Sequence, residues 1–183
     1  MTRTVYYTAT TLDGFIADEH DSLDWLFTQD VDADGPMGYT AFITGIGALV
    51  MGATTYQWIA DHQAETGEAW AYDVPTWVLT HRTFEPIGEQ IAFTDAPIAD
   101  VHAAMVAAAG DRDVWVVGGG DLAGQLADVG LLDEVVVSIA PVTLGAGRPL
   151  FPRRYDLRLT ELAQNGAFAC ARYDVVGARD AQP

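Results

Sequence analysis

The stretch Val114-Trp-Val-Val-Gly-Gly-Gly-Asp-Leu-Ala-Gly-Gln-Leu126 decides how this chain folds. Val114 to Val117 are four consecutive apolar residues, the pattern of a strand buried on both faces. Gly118, Gly119 and Gly120 follow, and from Asp121 onward Leu122, Ala123 and Leu126 recur at helical spacing. A strand that passes through glycine into a helix leaves bare N–H groups at the positive end of a helix dipole, which suits an anion. Glycine also reaches positive φ and lets a ligand approach the main chain closely. The same triple glycine fits a tight turn with no ligand, so the neighbouring segments must decide.

Upstream, Thr4 to Thr11 is a β-prone run that ends at the turn dipeptide Asp13-Gly14. Residues 18–36 are polar and acidic, with Trp25, Leu26 and Phe27 as apolar islands, and predict an ordered loop closing on a pocket or on the core. Tyr39 to Thr44 predicts a short helix and Ala48 to Met51 a second strand, broken at Gly52. Thr54 or Thr55 is then expected to cap a helix running through Trp58. Pro75 to Thr80 and Ile91 to Thr94 predict two more strands, and Pro97 to Ala109 an alanine-rich helix with Gly110 past its end. Downstream, Asp133 to Pro141 is a β run, and Leu157–Gln164 and Ala167–Val176 flank the hairpin signal Asn165-Gly166. Alternating strands and helices followed by a hairpin predict an α/β fold. Its sheet is mixed and mainly parallel, with helices on both faces and a C-terminal antiparallel hairpin. The 183 residues show no repeat or linker and predict one domain over 1–183.

The chain carries 26 acidic residues against nine arginines and no lysine, for a net charge of −17. Such a surface disfavours nucleic acid and anionic membranes as partners. No apolar run approaches the ~18 residues that span a bilayer. The chain enters its first strand without a leader, and Cys170 is the only cysteine; both point to a reducing cytoplasm. His20, His62, His81 and His102 lie far apart, so no metal site is expected. Neither Ser22 nor Ser138 sits in a nucleophile elbow, and without lysine there is no P-loop, which argues against hydrolase and kinase chemistry.

Two further turns share the character of the glycine run. Val78-Leu79-Thr80-His81-Arg82 ends a strand in a hydroxyl, an imidazole and a guanidinium, and Arg with Thr makes a sound phosphate clamp at the end of a parallel strand. Met51-Gly52-Ala53-Thr54-Thr55-Tyr56 offers hydroxyls and backbone donors, though alone it reads equally as a plain helix start. Three such turns after three predicted parallel strands suit a small-molecule partner with several phosphates, such as a dinucleotide. Gly118, Gly120 and Ala123 also satisfy Gly-x-Gly-x-x-Ala, but late in the chain, and the acidic pair Asp133-Glu134 precedes the next strand. A Rossmann unit therefore fits poorly.

In their order these motifs resemble the dihydrofolate reductase-like superfamily, most closely the reductase domain of bacterial riboflavin biosynthesis and its small stand-alone relatives. The resemblance covers nearly the whole chain. It rests on Thr10-Thr-Leu-Asp-Gly-Phe-Ile-Ala17, Met51-Gly-Ala-Thr-Thr-Tyr56, Val78-Leu-Thr-His-Arg82 and Val116-Val-Gly-Gly-Gly-Asp-Leu122, and on Ile139-Ala-Pro-Val-Thr-Leu-Gly-Ala-Gly-Arg-Pro-Leu-Phe151. It implies a three-layer dihydrofolate reductase-like fold that binds NADPH. Ala9 and Ile16 would lie against the nicotinamide, and Gly52, Ala53, Thr54 and Thr55 on the pyrophosphate and adenosine side. Leu79, Thr80, His81 and Arg82 would sit near the 2′-phosphate, and Val117, Gly118, Gly119, Gly120, Asp121 and Leu122 would cradle the diphosphate. The chain departs from the pattern at Ala53, where many relatives carry Arg, which leaves Arg82 nearly alone in selecting NADPH over NADH.

The chemistry implied is hydride transfer to a small heterocyclic or ribosylamino compound, like the reduction of 5-amino-6-(5-phosphoribosylamino)uracil in riboflavin biosynthesis. The alternatives are dihydrofolate reduction and an NADP-binding protein without turnover. Asp32 and Asp34 are the candidate proton donors, although they also read as a solvated acidic loop. Trp25 lines the substrate pocket or anchors the core, and Asp13 is expected to bond its own turn. Arg148, with Arg153 and Arg154, either holds a substrate phosphate or pairs with acids at a subunit contact. The strand at 133–141 and the hairpin at 157–176 are the expected face of a homodimer.

Overall fold

The computed structural model describes residues 1–179. The chain begins with β1 (Thr4–Thr11), β2 (Phe15–Ala17), α1 (Asp24–Phe27), α2 (Tyr39–Thr44), β3 (Ile46–Gly52) and α3 (Ala53–Thr66). It continues through β4 (Thr76–Leu79), β5 (Ile91–Thr94), α4 (Ile98–Ala109), β6 (Asp113–Gly118) and α5 (Gly120–Asp128). It ends with β7 (Glu134–Ala140), β8 (Arg148–Pro149), β9 (Tyr155–Asn165) and β10 (Phe168–Ala178). Eight strands form one sheet in the order β5-β4-β3-β6-β1-β7-β10-β9, and β2 pairs separately with β8. The pairs from β5 through β7 are parallel, whereas β10 runs antiparallel to both β7 and β9.

The decisive run folds as its pattern predicts. Val114 and Val116 turn to one face of the sheet, where they meet Tyr6, Met105 of α4 and Leu126 of α5. Trp115 turns to the other, where Leu49, Met51, Val78 and Tyr56 of α3 enclose it. Alternate residues of a wholly apolar strand thus fill two cores, and helices cover both faces. Each large side chain so buried contributes about 1.5–3 kcal/mol.

Three details differ from expectation. Helix α3 runs well past Trp58 to Thr66, stopping where Gly67 takes φ 75°. Its N-cap is Gly52, without a side-chain cap, so Thr54 and Thr55 lie inside the first turn rather than capping it. Strand β7 lies between β1 and β10 with Val135, Val136 and Val137 buried, so this apolar run is filled within the chain rather than left as an open face. Its first residue, Glu134, is 1% exposed. The carboxylate sits between Arg172, whose Nη1 donates to Oε1, and Arg3, whose Nη1 lies 2.6 Å from Oε2 but out of line for a hydrogen bond.

His102 of α4 lies with Nε2 2.7 Å from Thr4 Oγ1, and burial holds its imidazole below the usual histidine value despite the opposing charge of Asp133. The unfolded chain therefore binds a proton that the folded one refuses. The resulting stability is full above about pH 6.5 and is lost as pH falls from there toward the lower folded value. Urea unfolding of His102→Gln is expected to show a flatter stability profile below about pH 6.5 than wild type.

Candidate functional site

Crevices outside the C-terminal ends of parallel strands are where α/β sheets bind ligands. Here the ends of β4, β3 and β6, with the first turns of α3 and α5, border three connected hollows. The central one, about 470 Å³, is walled by Gly52, Ala53, Thr54 and Thr55, by Leu79, Thr80 and His81, and by Gly119, Asp121 and Leu122. Thr54, Thr55, Gly119 and Asp121 also border a cleft of about 420 Å³, which adds Thr8, Ile16, Leu23, Trp58, Val117, Gly118, Gly120 and Arg148. Thr80, His81, Thr94 and Asp95 are shared at the other end with a hollow of about 270 Å³ that adds Arg82 and Phe84. The result is one groove across three strand ends.

Helices α3 and α5 both start on this groove, from Gly52 and Gly119, and neither first turn receives a side-chain cap. Their leading amides are therefore open to an anion. The three consecutive glycines serve different ends. Gly119 takes φ 89°. A Cβ on Gly118 would lie 2.9 Å from Thr55 Oγ1, and one on Gly120 would lie 2.3 Å from the Pro149 carbonyl oxygen and 2.4 Å from that of Leu150. At Gly120 the close approach is by the protein's own chain.

At the outer end, the Arg82 amide donates to Thr80 Oγ1 at 2.8 Å. The Arg82 guanidinium donates to Gln57 Oε1 at 3.0 Å and lies 4.7 Å from the Phe84 ring centre. No carboxylate pairs with it among the described residues. At the inner end, Ile16 stands on β2, which is pinned beside β8. There Asp21 takes φ 63° and accepts from Arg148 through both oxygens, at 2.5 Å from Nε and 3.0 Å from Nη2. That bidentate bond pushes the Arg148 pKa up further. Asp121 accepts from Gln125 and from Arg153, which hold its carboxyl below the usual carboxylate range. Trp58 forms part of the wall, its ring near-parallel to those of His62 at 5.0 Å and Phe27 at 6.0 Å between centres.

The groove thus gathers every expected cofactor residue except Ala9. Thr8 faces the cleft, so its neighbour on β1 turns to the opposite side, where Ala9 packs beside Trp25 and Phe168. Trp25 is 9% exposed within that cluster and is a core anchor, correcting its placement against substrate. Asp32 and Asp34 are corrected as well. Asp32 accepts from the Asp34 amide at 2.9 Å, and its main chain bonds the Asn165 side chain at 3.0 and 2.8 Å. Both are exposed at the hairpin tip, away from the groove walls. Asp13 bonds its turn as expected: Thr11 Oγ1, then the Gly145 and Leu144 amides, donate to it and hold it below the carboxylate range. Arg148 does line the cleft, whereas Arg153 lies across Asp121 and Asp128. Sequence reading missed Thr8, Asp21, Leu23 and Trp58. Only Trp58 had a signal, since it stands three and four residues after Thr55 and Thr54 on one helix face.

Sheet order and helical layers together define an α/β protein with the dihydrofolate reductase-like fold. The chain belongs to the family of the RibD C-terminal domain, whose model matches residues 4–172. It is 29% identical over 150 residues to YwjB of Bacillus subtilis (strain 168), an uncharacterized protein, covering 81% of this chain and 82% of that one. It is 31% identical over 155 residues to YyaP of the same organism, also uncharacterized, covering 78% and 77%. Among solved structures it is similar to a "Putative riboflavin biosynthesis protein" of Shewanella sp. PV-4, with TM-score 0.81 and 25% identity over 96% of this chain and 99% of that one. A Thermotoga maritima deaminase/5-amino-6-(5-phosphoribosylamino)uracil reductase shares the fold, with TM-score 0.63 and 15% identity over 96% of this chain and 57% of that one. No helix among the described residues is long and apolar enough to cross a membrane.

Proposed function

We propose that this protein is a cytoplasmic, single-domain NADPH-dependent reductase of a small heterocyclic or ribosylamino compound. The reaction would resemble the reduction of 5-amino-6-(5-phosphoribosylamino)uracil named for the Thermotoga maritima relative. The observation that carries this reading is the continuous groove, with the Arg82 guanidinium at one end, lined by open helix amides at the centre and largely apolar at the other. When bound, NADPH would supply the hydride. The amides of Gly118 to Leu122 and of Gly52 to Thr55 would hold its diphosphate and adenosine portions, and Thr80, His81 and Arg82 its 2′-phosphate. Ile16 would lie against the nicotinamide, and Leu23, Val117 and Trp58 would orient the acceptor beside it and exclude water. Asp21 and Asp121 are both engaged by guanidinium groups, so neither serves as the acid, and the proton reaches the acceptor from solvent.

Calorimetric titration with NADPH, followed by cofactor oxidation with the pyrimidine and with dihydrofolate, tests the reading. Turnover of the pyrimidine supports it, and turnover of dihydrofolate alone would identify a dihydrofolate reductase. Tight binding with no turnover of either would favour a binding protein, and no affinity for NADPH would refute the proposal. Because Ala53 contributes no second cation, Arg82→Ala is expected to weaken NADPH about tenfold or more while leaving NADH nearly unaffected.

We also propose a homodimer built on the outer edge of the sheet. Leu157, Leu159 and Leu162 of β9 are 39%, 52% and 68% exposed and stand in register with Val175, Tyr173 and Ala171 on one face. A long edge strand with an exposed apolar face invites a partner. Sedimentation is expected to show a dimer that the double substitution Leu159→Glu, Leu162→Glu converts to monomer. A wild-type monomer at micromolar concentration would sink the idea.

A further inference from the structure

Positive charge is scarce in this molecule, and the structure shows where all of it goes. There is no lysine, and six of the nine arginines meet a carboxylate: Arg3, Arg148, Arg153, Arg158, Arg172 and Arg179. Of the others, Arg82 lies at the outer end of the groove. Arg112 precedes β6, at the opposite end of the parallel strands. Arg154 precedes Tyr155, which pairs with Ala178 beyond the Glu134 end of β7. Only Arg148 serves the inner cleft. Asp21 takes the Nε–Nη2 edge of its fork and balances its charge, and Asp18, held by the His20 and Ser22 amides at 2.8 Å, adds a second negative charge nearby. Asp121, the other carboxylate on the cleft, is matched by Arg153.

No guanidinium at this end therefore carries uncompensated charge: Asp18, Asp21 and Asp121 outnumber Arg148 and Arg153. A phosphomonoester entering it would lose hydration and meet a wall of net negative charge. The wall offers instead the apolar side chains of Ile16, Leu23 and Val117 and the indole of Trp58, which His62 and Phe27 hold in place. Such a surface favours a flat ring, which stacks on an aromatic face without any charge.

We infer that the inner cleft takes a flat, uncharged heterocycle lacking a phosphate, resting on Trp58, and that Asp18 and Asp21, which together outweigh the Arg148 charge, turn phosphorylated forms away. Within the substrate class proposed above, this selects the dephosphorylated ribosylamino pyrimidine over its 5′-phosphate. The inference rests on the NADPH reading of the groove.

The test is calorimetric titration of the NADPH-saturated protein with 5-amino-6-ribosylaminouracil and, separately, with its 5′-phosphate. The unphosphorylated compound is expected to bind at least about tenfold more tightly. Asp21→Asn, which leaves the Arg148 charge unbalanced by its partner, should strengthen binding of the phosphorylated compound by about tenfold. Trp58→Ala should weaken the unphosphorylated compound about tenfold, and Trp58→Phe should restore most of the loss. Equal or tighter binding of the phosphate by wild type, or no binding of either compound to NADPH-loaded protein, overturns the inference. Failure of NADPH itself to bind, seen in its own titration beforehand, overturns the cofactor reading and this inference with it.

Discussion

Gly120→Val is expected to abolish NADPH binding and to lower stability by about 3 kcal/mol or more, at the upper end of overpacking costs. A Cβ at this position would sit 2.3 Å from the Pro149 carbonyl oxygen and 2.4 Å from that of Leu150. Both are main-chain atoms, so no side-chain rotation relieves the clash. Either the first turn of α5 or the segment after β8 must move. The first carries the open amides proposed to hold the diphosphate. The second is tied to the β1–β2 turn through the Leu150 amide, which donates to the Gly14 carbonyl at 2.9 Å. Displacing either opens the groove at its centre. Gly177→Ala is the control: its Cβ meets nothing within 4 Å, and its effect should stay within about 0.5 kcal/mol. Urea unfolding reads the stability and calorimetry the binding; a Gly120→Val protein with near wild-type values in both would contradict the account.

The second large effect is expected at the far end of the sheet. Glu134→Ala removes a carboxylate that is 2% exposed and leaves Arg3 and Arg172 facing one another across the vacated space. Breaking a buried pair by deleting one partner costs about 3–5 kcal/mol, because the remaining charge keeps its desolvation and loses its compensation. The two arginine side chains are 42% and 33% exposed and retain Asp174 and Glu161 as secondary partners, so water and those acids screen part of the loss. The expected value is therefore near the lower figure, about 3 kcal/mol. Glu134→Gln keeps the shape and should cost less. NADPH affinity is expected to be unchanged in folded protein, because Glu134 opens β7 at the end of the sheet opposite the groove. A loss below about 1 kcal/mol in chemical denaturation would show that the pair contributes no more than a surface one.

The groove was legible in the chain because its walls are contiguous in sequence. Residues 52–55, 79–82 and 117–122 each belong to one strand-to-helix or strand-to-loop turn, and parallel strands bring such turns to one edge without further information. The acceptor end was not legible, since it is assembled from side chains with no local signature. Trp25 and Trp58 are both tryptophans next to short polar runs, yet one is buried beside Phe168 and the other lines the cleft. Asp21, Asp32 and Asp34 occupy one acidic loop, and nothing in their neighbours says that Asp21 grips Arg148 while Asp32 fastens to Asn165.

By itself, then, the sequence determined the order of strands and helices, the two-sided burial of the central strands, the terminal hairpin and the anion-friendly turns. Each of these depends on periodicity and turn chemistry among residues a few positions apart. Only the tertiary structure decided which face of β1 meets the cleft, that β2 and β8 close its inner end, and that the cation there is already paired. Asp21 and Arg148 stand 127 positions apart, and contacts at that range are set by how the layers pack, which no local pattern encodes.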